Sequence, residues 1–128
     1  MNDKDLTKLL QEANDCVPRV SFEEAINIIS TTKTLIIDVR ETSEIEATGL
    51  IKNAVNIPKS IIDTNFDHSL IKDHLNNNED VTILVYCAVG VRSALVGHKL
   101  IKNGYKKVLN LGGFVEWSLF NGPIEPIN

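Results

Sequence analysis

Val81-Thr82-Ile83-Leu84-Val85-Tyr86 runs directly into Cys87-Ala88-Val89-Gly90-Val91-Arg92-Ser93, and the reading of this stretch decides the fold. The first six residues are the strongest strand signal in the chain, apolar and β-branched with no breaker. Ser93–Asn103 carries Ala94, Leu95, Leu100 and Ile101 at helical spacing toward a core, and Gly104 then fits the left-handed position just past a helix end. A buried strand, a short loop opening on a cysteine and a helix therefore follow one another without a linker.

Working outward, the same alternation recurs. Thr34-Leu35-Ile36-Ile37-Asp38-Val39 is a continuous apolar run, as expected for a strand covered on both faces. Ser21-Phe22-Glu23-Glu24 is a capping box opening a helix through Ser30 that buries Phe22, Ala25, Ile26 and Ile29. A helical turn is expected at 43–47, a short strand at Ala54-Val55-Asn56-Ile57 stopped by Pro58, and a helix over 69–75 with Ser69 as its N-cap. Val108–Leu111 is a last core strand, and Gly112-Gly113 turns into a helix over 114–120. Strands alternating with helices predict an α/β domain with a mainly parallel sheet and helices on both faces, its site beyond the carboxyl ends of the strands. The spacing predicts a short helix over residues 3–14 with Leu6, Leu9, Leu10 and Ala13 on one face, read as an accessory arm. The division expected is a helical extension over 1–18 and the main domain over 19–128.

Composition narrows the function. The 128 residues, 43% hydrophobic and 23% charged, suit one globular domain. No apolar run approaches the ~18 residues of a membrane helix. The start, Met1-Asn2-Asp3-Lys4-Asp5, is no secretory signal, so a cytoplasmic home and no membrane partner are expected. A net charge of −4 argues against a nucleic-acid partner gripped through its phosphates. Two cysteines, Cys16 and Cys87, are too few for a disulfide framework, and neither belongs to a C-x-x-C pair. Three histidines without paired spacing suggest no metal site. The acids are unevenly spread: none lies between Val81 and Val115, where Arg92, Lys99, Lys102, Lys106 and Lys107 fall, so this segment is expected to attract a small anion.

The chemistry centres on Cys87. A tight loop between strand and helix turns successive N–H groups toward one point, Gly90 permits the required dihedrals, and the helix adds its positive end. A sulfur there is favoured as the thiolate, the reactive form. Arg92, five residues after the cysteine, supplies a permanent cation and a planar fork of donors for an oxyanion.

The chain resembles the rhodanese family from Arg19 to Ile124, through four motifs in the family's order. Cys87–Ser93 resembles its active loop as C-x-x-G-x-R-S. Asp38-Val39-Arg40-Glu41, with Glu44 nearby, is similar to its D-V-R-E signature. Gly49–Pro58 resembles its G-H-I-x-G-A-x-N-I-P stretch, with Leu50 where the family usually has His and Asn53 where it usually has Gly. Gly112-Gly113-Phe114-Val115-Glu116-Trp117 resembles its closing G-G-x-x-x-W. Val91 stands where a charged residue is common.

The resemblance implies a five-stranded central sheet and sulfurtransferase chemistry without metal or organic cofactor. Cys87 would take a sulfane sulfur from a small anionic donor, thiosulfate or a persulfide, and pass it to a thiol or cyanide, with a protein thiol as a further kind of acceptor. The loop residues Ala88, Val89, Gly90, Val91, Arg92 and Ser93 would bind the donor, and Asp38 and Arg40 would brace the structure. Trp117 is expected to pack in the core. Two other readings stay open, a sulfur-delivery or binding module for a partner protein and a cysteine-dependent phosphatase or arsenate reductase. Loop length speaks against the latter, since related dual-specificity phosphatases place their arginine one residue further on.

Overall fold

The computed structural model describes residues 3–127. The elements run α1 (Asp3–Cys16), α2 (Phe22–Thr31), β1 (Thr34–Asp38), α3 (Thr42–Thr48), β2 (Leu50–Ile51), β3 (Val55–Asn56), α4 (Lys59–Thr64), α5 (Ser69–Lys72), β4 (Thr82–Cys87), α6 (Val91–Lys102), β5 (Val108–Gly113), α7 (Phe114–Leu119) and β6 (Ile124–Glu125). Strands β3-β1-β4-β5 form a parallel sheet in that order, and β2 pairs antiparallel with β6 as a separate ribbon.

Successive side chains of a strand point to opposite faces, and here they sort into two cores. Leu35, Ile37, Ile83, Val85, Cys87 and Val108 join Val17, Ile62, Ile71, Val96 and Leu100 from α4, α5, α6 and the segment after α1. Ile36, Leu84, Tyr86 and Leu111 join Ala25, Phe114 and Trp117 from α2 and α7. Helices on both faces explain why β1 and β4 read as unbroken apolar runs. Helix α1 lies along α6 with Ala13 buried, and Gly97 of α6 leaves room for Val17.

The central sheet has four strands, not five. Residues 18–20 run along the outer edge of β5, but only Arg19 makes a bridge, with Asn110. Pro18 has no N–H to donate, and Ser21 is already the N-cap of α2, so no fifth strand can extend. Helix α4 and the two short strands β2 and β6 carry too little periodicity to be read from sequence, and Pro58 leads into α4 as well as ending a strand. Ser69 is the first residue of α5 rather than its cap, and donates its N–H to the Asp67 carboxylate at 2.9 Å. The capping box at Ser21 is present with both hydrogen bonds. Asn53 takes the left-handed backbone (φ 69°) at the position where Leu50–Pro58 departs from the Gly pattern, and asparagine tolerates it well. Trp117 is buried, its Nε1 donating to the Pro123 carbonyl at 3.0 Å and its ring edge-on to Phe22.

The order of the strands fixes where a site can form. From β1 the chain moves to β3 on one side and later to β4 on the other, so a crevice opens beyond the carboxyl ends of β1 and β4. Asp38 ends β1 and Cys87 ends β4. A cleft of about 440 Å³ lined by Lys72, Val81, Tyr105 and Lys107 lies instead at the amino end of β4, away from Cys87.

Candidate active site

Cys87 is 1% exposed and sits at the base of the loop. The Gly90 N–H donates to its Sγ at 3.1 Å, and Ser93 Oγ lies 3.5 Å away. Gly90, with φ 111°, lies in a conformation that L side chains rarely adopt; this turn is what aims its amide inward. Helix α6 starts at the next residue, so its amino end faces the sulfur. Burial pushes the thiol up, but the hydroxyl of Ser93 and the amides of Ser93, Gly90 and Val89 outweigh it and hold Cys87 below the usual cysteine range. Thiolate absorbance of Cys87, followed in a Cys16→Ser background, is therefore expected to rise at lower pH than for an unperturbed thiol at ~8.5. A midpoint at or above that value would show that burial dominates.

Asn110 organises this loop from beneath. Its Nδ2 donates to the Gly90 carbonyl at 3.1 Å, while its Oδ1 accepts from Ser93 Oγ and from the Gly112 N–H, both at 2.8 Å. The Gly112 N–H can only donate, so the orientation of the amide is settled. An asparagine inside the apolar strand Val108–Leu111 is a legible signal of a buried polar role, yet the sequence reading passed over it. The Val115 N–H holds the other side of the loop through the Ala88 carbonyl at 3.2 Å.

Gly113 is required by that close approach. A Cβ there would lie 2.2 Å from the Ala88 carbonyl oxygen, which is backbone and cannot move without displacing the loop. Gly113→Ala is expected to lower activity at Cys87 by at least ~10-fold, because a misplacement near 1 Å weakens positioning steeply. Unchanged activity in that variant would show that the loop tolerates displacement.

The segment without acids is not free of carboxylates in space. Glu44, from α3 across the crevice, accepts from Arg92 Nη1 at 2.7 Å and Nη2 at 2.9 Å. The bidentate Arg92 pair holds the Glu44 carboxyl down to about 2. Glu44 Oε2 also accepts the Glu41 N–H at 2.8 Å, capping α3. The expectation of an unopposed cation at Arg92 is thus corrected: sequence distance hid a carboxylate that the β1–α3 turn brings over. Arg19, which carried no sequence signal, lies against Gly90 and Gly112 and pairs with Glu116 at 3.5 Å.

Asp38 and Arg40 are both buried at the carboxyl end of β1. Arg40 Nε and Nη2 reach the Asp38 carboxylate at 3.1 and 2.8 Å, Nη1 donates to Thr48 Oγ1, and Nη2 donates to the Gly49 carbonyl. The guanidinium also stacks 4.3 Å over the Phe114 ring. Neither side chain bonds the loop directly among the contacts of the described residues. Of the residues singled out from sequence, Cys87, Gly90, Arg92 and Ser93 come together, Ala88 and Val89 contribute backbone, and Val91 turns outward. Cys16 is exposed at the end of α1 and takes no part in the contacts of this arrangement among the described residues.

A rhodanese-like domain pattern matches residues 21–119, and the chain belongs to this family. It is similar to a sulfurtransferase of Allochromatium vinosum, 31% identical over 98 residues that span 76% of this chain and 83% of that protein. It is also 27% identical over 97 residues to the tRNA uridine(34) hydroxylase of Photorhabdus laumondii, covering 75% of this chain but only 27% of that longer protein. Among solved structures, a Rhodopseudomonas palustris protein described as a possible tyrosine phosphatase superposes with a TM-score of 0.81 at 26% identity, over 98% of this chain and 97% of that one. The polysulfide-sulfur transferase of Wolinella succinogenes superposes with a TM-score of 0.74 over 98% of this chain and 90% of that one, and at 21% identity it shares the fold. No helix of the described residues is long and apolar enough to cross a membrane.

Proposed function

We propose that this protein is a sulfurtransferase that carries a sulfane sulfur as a persulfide on Cys87, taken from thiosulfate or a persulfide and passed to a thiol or cyanide. The observation that carries the reading is the inward amide of Gly90, 3.1 Å from Cys87 Sγ, at the amino end of α6. Such a cradle stabilises an anionic sulfur both before and after loading, so the two half-reactions share one set of donors. In the first, the Cys87 thiolate attacks the outer sulfur of the donor, the donor's S–S bond breaks, and the remainder leaves. In the second, an acceptor thiolate or cyanide attacks the terminal sulfur and restores the thiolate.

Arg92 lies five residues from the cysteine, one fewer than in related dual-specificity phosphatases, and the shorter loop favours a lone sulfur over phosphate. The domain performing this work is residues 19–128, with 1–18 as an extension whose helix α1 lies along α6, and a reducing cytoplasm is the setting that keeps Cys87 a free thiol. Incubation with thiosulfate or with an organic persulfide, followed by intact mass before and after a reductant, tests the reading. The expected result is one reducible sulfur gained at Cys87. Failure of both donors to load it overturns the proposal.

A further inference from the structure

Resting on the sulfurtransferase reading, we propose that the donor suited to this site is a small organic persulfide with an apolar body, and that Glu44 is the residue that selects against thiosulfate. The argument is one of charge and of surface. Two cations stand at the loop, and each has a carboxylate near it: Glu44 holds Arg92 in a two-point pair, and Glu116 makes a single contact with the half-exposed Arg19 at 3.5 Å. Arg40, the next guanidinium inward, is buried on Asp38. Thiosulfate brings two negative charges toward a thiolate. To be held it must draw Arg92 away from Glu44, or approach with that carboxylate still in place.

A persulfide carries at most one negative charge, and none when protonated as R–S–SH, so it meets less of either cost than thiosulfate does, and the surface of the loop suits it. Val89 is 62% exposed and Val91 46%, flanking Gly90 on the loop, while Val115, tied to Ala88, is 51% exposed. These side chains present an apolar rim on which the carbon body of a persulfide can lie, and none offers a donor to a sulfonate oxygen. The amides within supply what the transferred sulfur needs, and nothing more.

The step balances without an external oxidant. The Cys87 thiolate attacks the terminal sulfur of R–S–SH, forming a new S–S bond and breaking the old one. The departing thiolate takes the proton the terminal sulfur carried and leaves as R–SH, so Cys87 becomes the anionic persulfide. With thiosulfate the same attack releases sulfite, and two negative charges must enter and leave past Glu44.

The test compares kcat/KM for thiosulfate with kcat/KM for a short alkyl persulfide, in the native chain and in Glu44→Gln. Glutamine keeps an oxygen for the Glu41 N–H that caps α3, but removes the negative charge that faces Arg92. The expected result is a clear preference for the persulfide in the native chain, and a shift of the donor ratio toward thiosulfate by about tenfold in the variant. That size lies toward the weak end of the range between a unit-charge interaction in bulk water and one near a protein surface, since the pair is partly exposed. Val91→Lys, at an exposed position with Glu44 intact, should shift the ratio in the same direction and covers the case in which Glu44→Gln folds poorly. A native chain that uses both donors equally, with neither variant moving the ratio, overturns the proposal while leaving sulfur transfer standing. Loading by neither donor would instead remove the sulfurtransferase reading on which it rests.

Discussion

Replacing Cys87 with serine is expected to abolish sulfur transfer, a loss of at least ~10³-fold, while leaving the fold intact. The reason is chemical rather than steric. The hydroxyl is smaller by a fraction of an ångström and fits the same space at the end of β4, where Gly90 N–H and Ser93 Oγ can bond it as they do the sulfur. It has no accessible anion near neutral pH and cannot hold a sulfane sulfur. Because the buried hydroxyl keeps its partners, the stability change should stay near ~1 kcal/mol. Side-by-side measurement of sulfur loading and of the denaturant midpoint checks both halves. Transfer surviving in Cys87→Ser would move the chemistry to Cys16, the other free thiol.

The largest effect on stability is expected from Arg40→Met. Met fills much of the stem's volume over Phe114 but leaves the Asp38 carboxylate, 0% exposed, without its cation. Arg40 supplies Asp38 with bonds from its backbone N–H as well as from the guanidinium, and only the former survives the change. Breaking a buried pair by removing one partner typically costs ~3–5 kcal/mol, a large share of the ~5–15 kcal/mol that holds a domain together. The Thr48 hydroxyl and the Gly49 carbonyl each lose a donor at the carboxyl end of α3, so the helix that carries Glu44 should loosen with them. Urea unfolding with an unchanged slope and a lowered midpoint is the expected signature. A double replacement, Asp38→Leu with Arg40→Met, should recover part of the loss by removing the unpaired charge. A midpoint unchanged in the single variant would show that the pair contributes little.

These two outcomes separate the layers of the site. Cys87 is the proposed sulfur carrier, whereas Asp38 and Arg40 brace the end of β1 and, through Thr48 and Gly49, the carboxyl end of α3, the helix from which Glu44 reaches Arg92. Asn110 stands between, since it bonds Ser93, Gly90 and Gly112 together but does not touch the sulfur.

Much of this was legible in the chain before any coordinates. The apolar runs at 34–39 and 81–86 announce strands covered on both faces, because only a sheet between two helical layers can bury every side chain of such a run. The capping box at Ser21 and the glycine at 104 mark helix ends through local hydrogen bonding, which needs no distant partner. The loop Cys87–Ser93 shows its chemistry for the same reason: its own amides, its glycine and its helix face the sulfur, all within seven residues of sequence. Short elements such as α4, β2 and β6 stayed hidden because they hold too few residues to display a period and are stabilised by what packs on them.

What only the tertiary structure decided is pairing across distance. Glu44 meets Arg92 across 48 residues of sequence, Arg19 comes to rest on Gly90 and Gly112, and Asn110 bonds Ser93 from a neighbouring strand. A charge on the chain carries no record of the charge it will face, since Coulomb attraction depends on separation in space and the parallel crossovers of the sheet set that separation. The residues proposed to hold a sulfur were therefore written locally, while the charge that surrounds them was settled only when the strands lay side by side.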